Sequence, residues 1–192
     1  MNFKVLKITL AIVLMTCSVS SFSKDVVTSE AALKSSIIEK ELNLAFTKAL
    51  STAATKLDAE GEMTPFAIIL RRDSTLGFFE VEKTPETKKL SVNDQVFGIR
   101  RYLTELALAG QIKATVLGMY VSISNGTEVS QQGISFEIEH LEGVAMLRFI
   151  PVSEKVNTDK PNTIVIHTES ISTTIKHAMV FTEMAKIISR QD

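Results

Sequence analysis

The side chains in this sequence that could carry chemistry are three histidines and a group of carboxylates. Glu137, Glu139 and His140 lie within four residues of one another, and paired acids can serve glycoside hydrolysis or bind a cation. The glutamates alternate along an apolar strand, so we expect both to face solvent. We expect His140 to be a partly buried histidine whose partners are backbone groups, and His167 and His177 to lie at the surface.

Other catalytic and binding classes lack their residues. Cysteine occurs once, at Cys17, and the eight glycines form no phosphate-binding loop. No His-Glu-x-x-His pattern is present, so the sequence predicts no catalytic residues beyond the weak candidates above, no cofactor and no metal site. The net charge of −1 removes the main driving force for nucleic-acid binding, and the partner is expected to be a protein or a small molecule.

The N-terminus has the three-part pattern of a secretory signal peptide. Lys4 and Lys7 precede the apolar run 8–15, and a stretch of small residues ends at Ser23. We predict cleavage after residue 23, an exported and most simply periplasmic protein, and no transmembrane span in the mature chain, because the run is too short to cross a bilayer. A minority alternative is a lipoprotein in which Cys17 is acylated and tethers the chain to the membrane.

Residues 24–192 are predicted to form a single α+β domain. Hydrophobic periodicity predicts a helix over 29–58, capped by Ser29 and closed at Gly61, with one stripe that contains Ala45, Ala49 and Ala53. A hairpin of residues 66–70 and 77–82 follows. A second helix should begin at a Ser91–Asp94 capping box, end at Gly110, and bury the stripe Val92, Val96, Ile99, Leu103 and Leu106.

Three strands should then form a meander. The first, 112–124, is apolar on both faces and is expected to be central, and Asn125-Gly126 predicts the turn after it. The next two are 134–140 and 144–150, joined by a turn centred on Glu142-Gly143. That centre places Phe136 opposite Phe149 and Glu137 opposite Arg148.

The pattern weakens after Pro151. Residues 153–162 read as a loop, 163–167 as a strand, and 173–189 as a helix, although their β-branched content also permits a strand and coil. The order α-β-β-α-β-β-β with C-terminal additions predicts an antiparallel sheet covered by helices, with a profilin-like or roadblock-like topology as a fold-level analogy.

Four blocks carry a resemblance to a known family. They are Gly61–Leu70, Leu103–Ala114, Ile134–Gly143 and the proline at 151. Together they resemble a family of small, functionally uncharacterised bacterial proteins with a PFA strand, a helix end of the form RELAxxGxIxA and an LEHxxG hairpin. The resemblance covers about residues 45–151 and implies a shared fold with no activity attached. The signal sequence and the tail after Pro151 depart from the family pattern.

Two functions follow as hypotheses. The first is an exported, soluble, non-catalytic binding or interaction module. The reason is that the hydrophobic core is well specified while few residues could carry catalysis. The second is an unrecognised hydrolase that uses Glu137, Glu139 and His140 near the 134–150 hairpin. The lipoprotein alternative would place the same fold at a membrane.

Overall fold

A computed structural model describes residues 32–59, 63–124, 130–155 and 163–182 of the chain. The chain divides into two compact units, Met1–Lys40 and Glu41–Asp192. In the first unit the described residues, 32–40, are helical, and all that follows concerns the second unit. The predicted signal peptide, Cys17, the Ser29 cap, the helix end at Gly61 and the Asn125-Gly126 turn lie outside the described residues.

Two long helices belong to the second unit. Helix α1 covers residues 32–59, of which 41–59 belong to this unit, and it buries the predicted alanine stripe completely at Ala45, Ala49 and Ala53. Three small side chains in succession let the helix approach the sheet closely. Helix α2, Val92–Leu108, begins at the predicted capping box: Ser91 accepts the backbone N–H of Asp94, and Asp94 accepts that of Ser91.

The end of helix α2 also follows the prediction. Gly110 has a φ of +66°, which glycine adopts at little cost after a helix. The buried stripe includes Val96, Ile99 and Leu103. Val92 is the exception: it occupies the first turn, where it is exposed.

The described strands form one antiparallel sheet. They are β1 Phe66–Arg71, β2 Leu76–Glu80, β3 Ile112–Ser124, β4 Ser130–His140, β5 Ala145–Lys155, β6 Thr163–Ile166 and β7 Ser172–Ile175. The order across the sheet is β2-β1-β3-β4-β5-β6, and β7 pairs with β5 beside β6. Strand β3 is central, as its two apolar faces predict. The α+β class with an antiparallel sheet covered by helices is confirmed, whereas the profilin-like topology stays a prediction.

The register of the β4–β5 hairpin differs from the predicted one by one residue. Phe136 lies opposite Arg148, and Glu137 lies opposite Leu147. The cause is the loop: it contains three residues, with Gly143 at a φ of +86°, where the prediction assumed two. Compared with a two-residue loop, a three-residue loop with a left-handed third residue moves the centre of the hairpin by half a residue. Every residue of β4 therefore lies opposite a residue of β5 one position away from the predicted partner.

Both faces of the sheet are covered in this region. On one face of β4, which carries the even-numbered residues, Phe46 of α1 packs edge-to-face against Phe136. The two ring centroids are 5.4 Å apart. On the other face, α2 shares a core with Val180 and Phe181. The expectation that Glu137 and Glu139 face solvent is therefore wrong, because a helix and a C-terminal segment cover the side on which they lie.

The C-terminal third contains more strand than predicted. Strand β5 continues through Pro151 to Lys155, so residues 153–155 are not loop; the rest of that loop, 156–162, lies outside the described residues. Strand β6 confirms the predicted 163–167 strand to within one residue. Residues 172–175 form β7, so over 173–175 the strand alternative is correct and the helix is not, and helical backbone begins at 180. The helix expected over 183–189 lies outside the described residues.

Candidate functional site

The carboxylates singled out in the sequence form a partly buried ion network rather than a fully solvated surface. Glu137 accepts two hydrogen bonds from the guanidinium of Arg100 on α2, one of them from Nε at 3.2 Å. Lys176 Nζ lies 3.1 Å from Glu137 Oε2 and 3.1 Å from Glu139 Oε1. Two acidic and two basic groups from β4, α2 and the segment after β7 therefore balance in charge inside the protein.

Glu139 holds the start of the C-terminal helical residues. The residue is 2% exposed, and its two oxygens accept the backbone N–H groups of Met179 at 2.7 Å and Val180 at 2.9 Å. These are the N–H groups that the first turn of a helix leaves without intrahelical partners, and a carboxylate satisfies them well. Glu139 thus serves as a cap that attaches the C-terminal segment to the sheet.

His140 lies on the opposite face from both glutamates. It is 3% exposed, and its Nδ1 accepts the backbone N–H of Glu142 at 3.1 Å. The ring proton is therefore on Nε2, which donates to Oε2 of Glu41 at 3.0 Å. The prediction of a backbone-satisfied histidine describes half of this arrangement, and the carboxylate of Glu41 supplies the other half.

The chain of contacts continues from Glu41 to a serine. Lys113 Nζ lies 2.5 Å from Glu41 Oε1 and donates to Ser74 Oγ at 3.0 Å. Burial by itself raises the pKa of Glu41, but hydrogen bonds from Lys113 and His140 outweigh it and lower that pKa below its ordinary value of 4.5. The carboxylate is ionised at neutral pH and forms an ion pair with the lysine.

This second cluster contains the groups of a serine–lysine dyad but not their required charge state. Lysine activates a serine only as the neutral amine, and an ionised carboxylate in contact favours the ammonium. Ser74 is the third of the three residues between Arg71 and Thr75, which a backbone hydrogen bond joins. Its φ is +67°, and Gly143 occupies the same place between His140 and Val144. The cluster is best described as an anchor between α1 and the ends of β1, β3 and β4.

The three sequence candidates therefore do not converge. Successive residues of a strand point to opposite faces, so Glu139 and His140 are separated by the sheet itself. Glu137 and Glu139 share a face, where their oxygens are engaged by cations and backbone N–H groups. As placed, the three side chains form two structural clusters instead of one catalytic group.

A third polar group was missed by sequence reasoning. Ser153 Oγ lies 2.8 Å from Nε2 of His167, and Nδ1 of the same ring lies 3.0 Å from Oε1 of Glu169. The only signal in the sequence was the spacing His167-x-Glu169, which is too common to single out. Of the remaining histidines, His177 is exposed, as predicted.

An apolar groove lies beside the buried glutamate network. Its volume is about 490 Å³, and one wall is the outer face of α2 while Met179 contributes the other side. Phe97 is 70% exposed here, and Leu108 and Met179 are also exposed. The complete lining is Phe97, Arg100, Arg101, Thr104, Glu105, Leu108 and Met179.

The glutamate network fixes both walls of this groove. Glu137 binds Arg100, which lines it, and Glu139 holds the backbone of Met179 on the other side. By contrast, among the residues that the structure describes, Arg101 pairs with Glu105 on the same helix, at 3.3 Å and with both side chains largely exposed. Such a pair contributes little stability, so Arg101 can exchange its partner for a bound anion.

The described residues show no group of three or more histidine or acidic side chains that could hold a metal ion. Within the same residues, no helix has both the length and the apolar character needed to cross a bilayer.

Comparison with known proteins gives no relative. The chain matches no protein-family model, no curated protein and no solved structure. The resemblance to the uncharacterised bacterial family accordingly stays a prediction that rests on the quoted blocks.

Proposed function

We propose that this chain is an exported binding module that takes up a long-chain carboxylate in the groove between α2 and the segment around Met179. The observation that carries the proposal is the exposure of Phe97 beside Leu108 and Met179 in a groove bordered by arginines. Large apolar side chains gathered at one surface site are typical of an interaction site.

Charge and size favour an anionic small molecule. Arg100 and Arg101 both line the groove, but Glu137 already balances the charge of Arg100, so Arg101 beside Glu105 is the cation that a ligand would meet. A ligand with one negative end and an apolar chain complements this set. A volume of about 490 Å³ falls in the usual range of small-molecule sites, and the eleven helical steps from Phe97 to Leu108 give a wall about 16 Å long.

The groove is also organised before binding. Because Glu137 and Glu139 hold its two sides, a ligand would not have to order them, and this lowers the entropic cost of association. The signal-like pattern of the N-terminus supports a binding event outside the cytoplasm, most simply in the periplasm.

The test is calorimetric titration of the purified protein with dodecanoate, decanoate and dodecanol. We expect dodecanoate to bind more tightly than decanoate by several-fold, since each buried methylene contributes up to ~0.8 kcal/mol. Phe97→Ala should weaken the binding of dodecanoate about tenfold, because the apolar contact of the ring is lost. Arg101→Gln should weaken the binding of dodecanoate and leave the binding of dodecanol unchanged, because only dodecanoate carries a charge that can pair with Arg101.

Val92→Ala is the matched control, since Val92 is an exposed apolar residue of the same helix outside the groove. Circular dichroism of each variant verifies the fold. No binding of dodecanoate, or equal binding by the parent chain and Phe97→Ala, contradicts the proposal.

A further inference from the structure

The polar group formed by Ser153, His167 and Glu169 has the connectivity of an activated nucleophile. The hydroxyl contacts Nε2 of the imidazole at 2.8 Å, and the carboxylate contacts Nδ1 at 3.0 Å. A nucleophile, a base and a group that orients the base, each within hydrogen-bonding distance of the next, define this class of site on unrelated folds. The group shares no residue with the groove or with the two buried clusters.

Strand pairing brings the serine and the histidine together. Val152 lies opposite Ile166 in the β5–β6 register, and the backbone N–H of His167 extends the ladder by donating to Pro151 O at 3.0 Å. Ser153 and His167 are therefore diagonal neighbours on one face of the sheet, a distance that a serine and an imidazole can bridge. Both are held by backbone hydrogen bonds rather than by loop packing.

The carboxylate is placed by the turn that follows. Residues Thr168–Ser170 form one 3-10 turn, closed by the N–H of Ser170 donating to the carbonyl of His167. The turn returns Glu169 to the ring of the histidine two residues earlier. Its own backbone N–H and then His167 lower the pKa of Glu169, so the carboxylate is ionised and accepts from Nδ1–H.

We propose that Ser153, His167 and Glu169 form an acyl-transfer site that hydrolyses small activated esters. Ser153 Oγ bonds to the acyl carbon while its proton passes to Nε2 of His167. The carbon–oxygen bond to the leaving group breaks, and the leaving group takes that proton. Water then attacks the acyl-serine with His167 as base, which releases the acid and restores the hydroxyl.

The exposure of the group defines the substrate class. Ser153 is exposed, and the side chains of His167 and Glu169 are 35% and 69% exposed. Such a site remains in water, so its advantage comes from the positioned base, which typically contributes 10²–10⁴-fold. Aryl esters of short acids fit this chemistry, because their leaving groups depart readily and their acyl parts need no deep pocket.

The first measurement is hydrolysis of p-nitrophenyl acetate by the purified protein. We expect a rate above that of free imidazole at equal concentration, and a loss of about tenfold or more in Ser153→Ala and in His167→Gln. Ser172→Ala and His177→Gln are matched controls, because both parent residues are exposed and lie outside the group. Both controls should retain the parent rate.

Glu169 is a positioning residue that acts through His167. Glu169→Gln should reduce the rate and Glu169→Asp should restore part of it, a rescue that a merely structural role would not show. A second measurement is labelling with phenylmethylsulfonyl fluoride followed by mass spectrometry, with the adduct expected on Ser153.

Three outcomes overturn the proposal: no rate above free imidazole, an unchanged rate in Ser153→Ala, or a label on another residue. Because every substituted side chain is at least partly exposed, we expect all variants to fold, and circular dichroism verifies this directly.

Discussion

The Nε2 of His140 donates to a carboxylate oxygen of Glu41 at 3.0 Å, across a separation of 99 residues. The same carboxylate receives Lys113 on its other oxygen. This contact joins helix α1 to the end of β4, with the His140 ring buried and the Glu41 carboxylate partly exposed. The Glu41 anchor therefore should be measurable in the stability of the fold.

We predict that the Glu41 anchor makes stability fall at acidic pH. The folded-state pKa of Glu41 is lowered from 4.5, so its contribution is fully present above a pH of about 4.5 and is lost as the pH falls through the lowered pKa. Glu41→Gln should cost about 1–3 kcal/mol at neutral pH, and the difference from the parent should shrink in acid.

Urea unfolding between pH 7 and pH 3 measures this directly. Glu105→Gln is the control, since Glu105 is exposed and its ion pair with Arg101 lies at the surface. A difference between the parent and Glu41→Gln that stays constant across the range would contradict the anchor.

We predict that Glu139→Ala detaches the C-terminal segment. The substitution removes the acceptor of two backbone N–H groups and leaves Lys176 with one carboxylate instead of two. Leaving buried donors unpaired costs about 1–3 kcal/mol each. The amides of Met179 and Val180 should exchange with deuterium faster than those of β3 in the variant, while Glu105→Ala leaves both sets protected. Unchanged exchange at 179 and 180 would count against the cap.

We predict that replacing glycine by alanine raises the free energy of unfolding at Gly98 and lowers it at Gly143. An added Cβ meets no atom within 4 Å at Gly98 or at Gly143, so packing plays no part at either site. Gly98 lies inside helix α2, where alanine should stabilise by about 0.5–1 kcal/mol. Gly143 has a φ of +86°, where alanine should cost about 1–2 kcal/mol. Denaturant midpoints measure both, and a shared sign would refute the loop geometry.

Local signals predicted helix α2 well. The capping box at Ser91 and the glycine at 110 involve neighbours in sequence, and the structure contains both. The meander strands also follow from local patterns, since β3 is apolar on both faces and β4 alternates, and each pattern depends on the residues of one segment at a time.

The register of the β4–β5 hairpin and the partners of the glutamates could not be predicted in the same way. A loop of two residues and one of three fit Glu142-Gly143 equally well from the sequence, and only the three-residue loop occurs. Alternation placed Glu137 and Glu139 on one face correctly. It could not show that Arg100 and Lys176 would cover that face, because both belong to elements distant along the chain.

The sequence by itself determined where most helices and strands form and that the sheet is antiparallel, because these depend on short-range periodicity, caps and turns. Only the tertiary structure decided which polar groups meet. His140 with Glu41, Glu139 with the amides at 179 and 180, and Ser153 with His167 are each brought together by pairing and packing between separate segments. No spacing in the sequence encodes such contacts, because the number of residues between the two partners can vary widely without changing which groups meet.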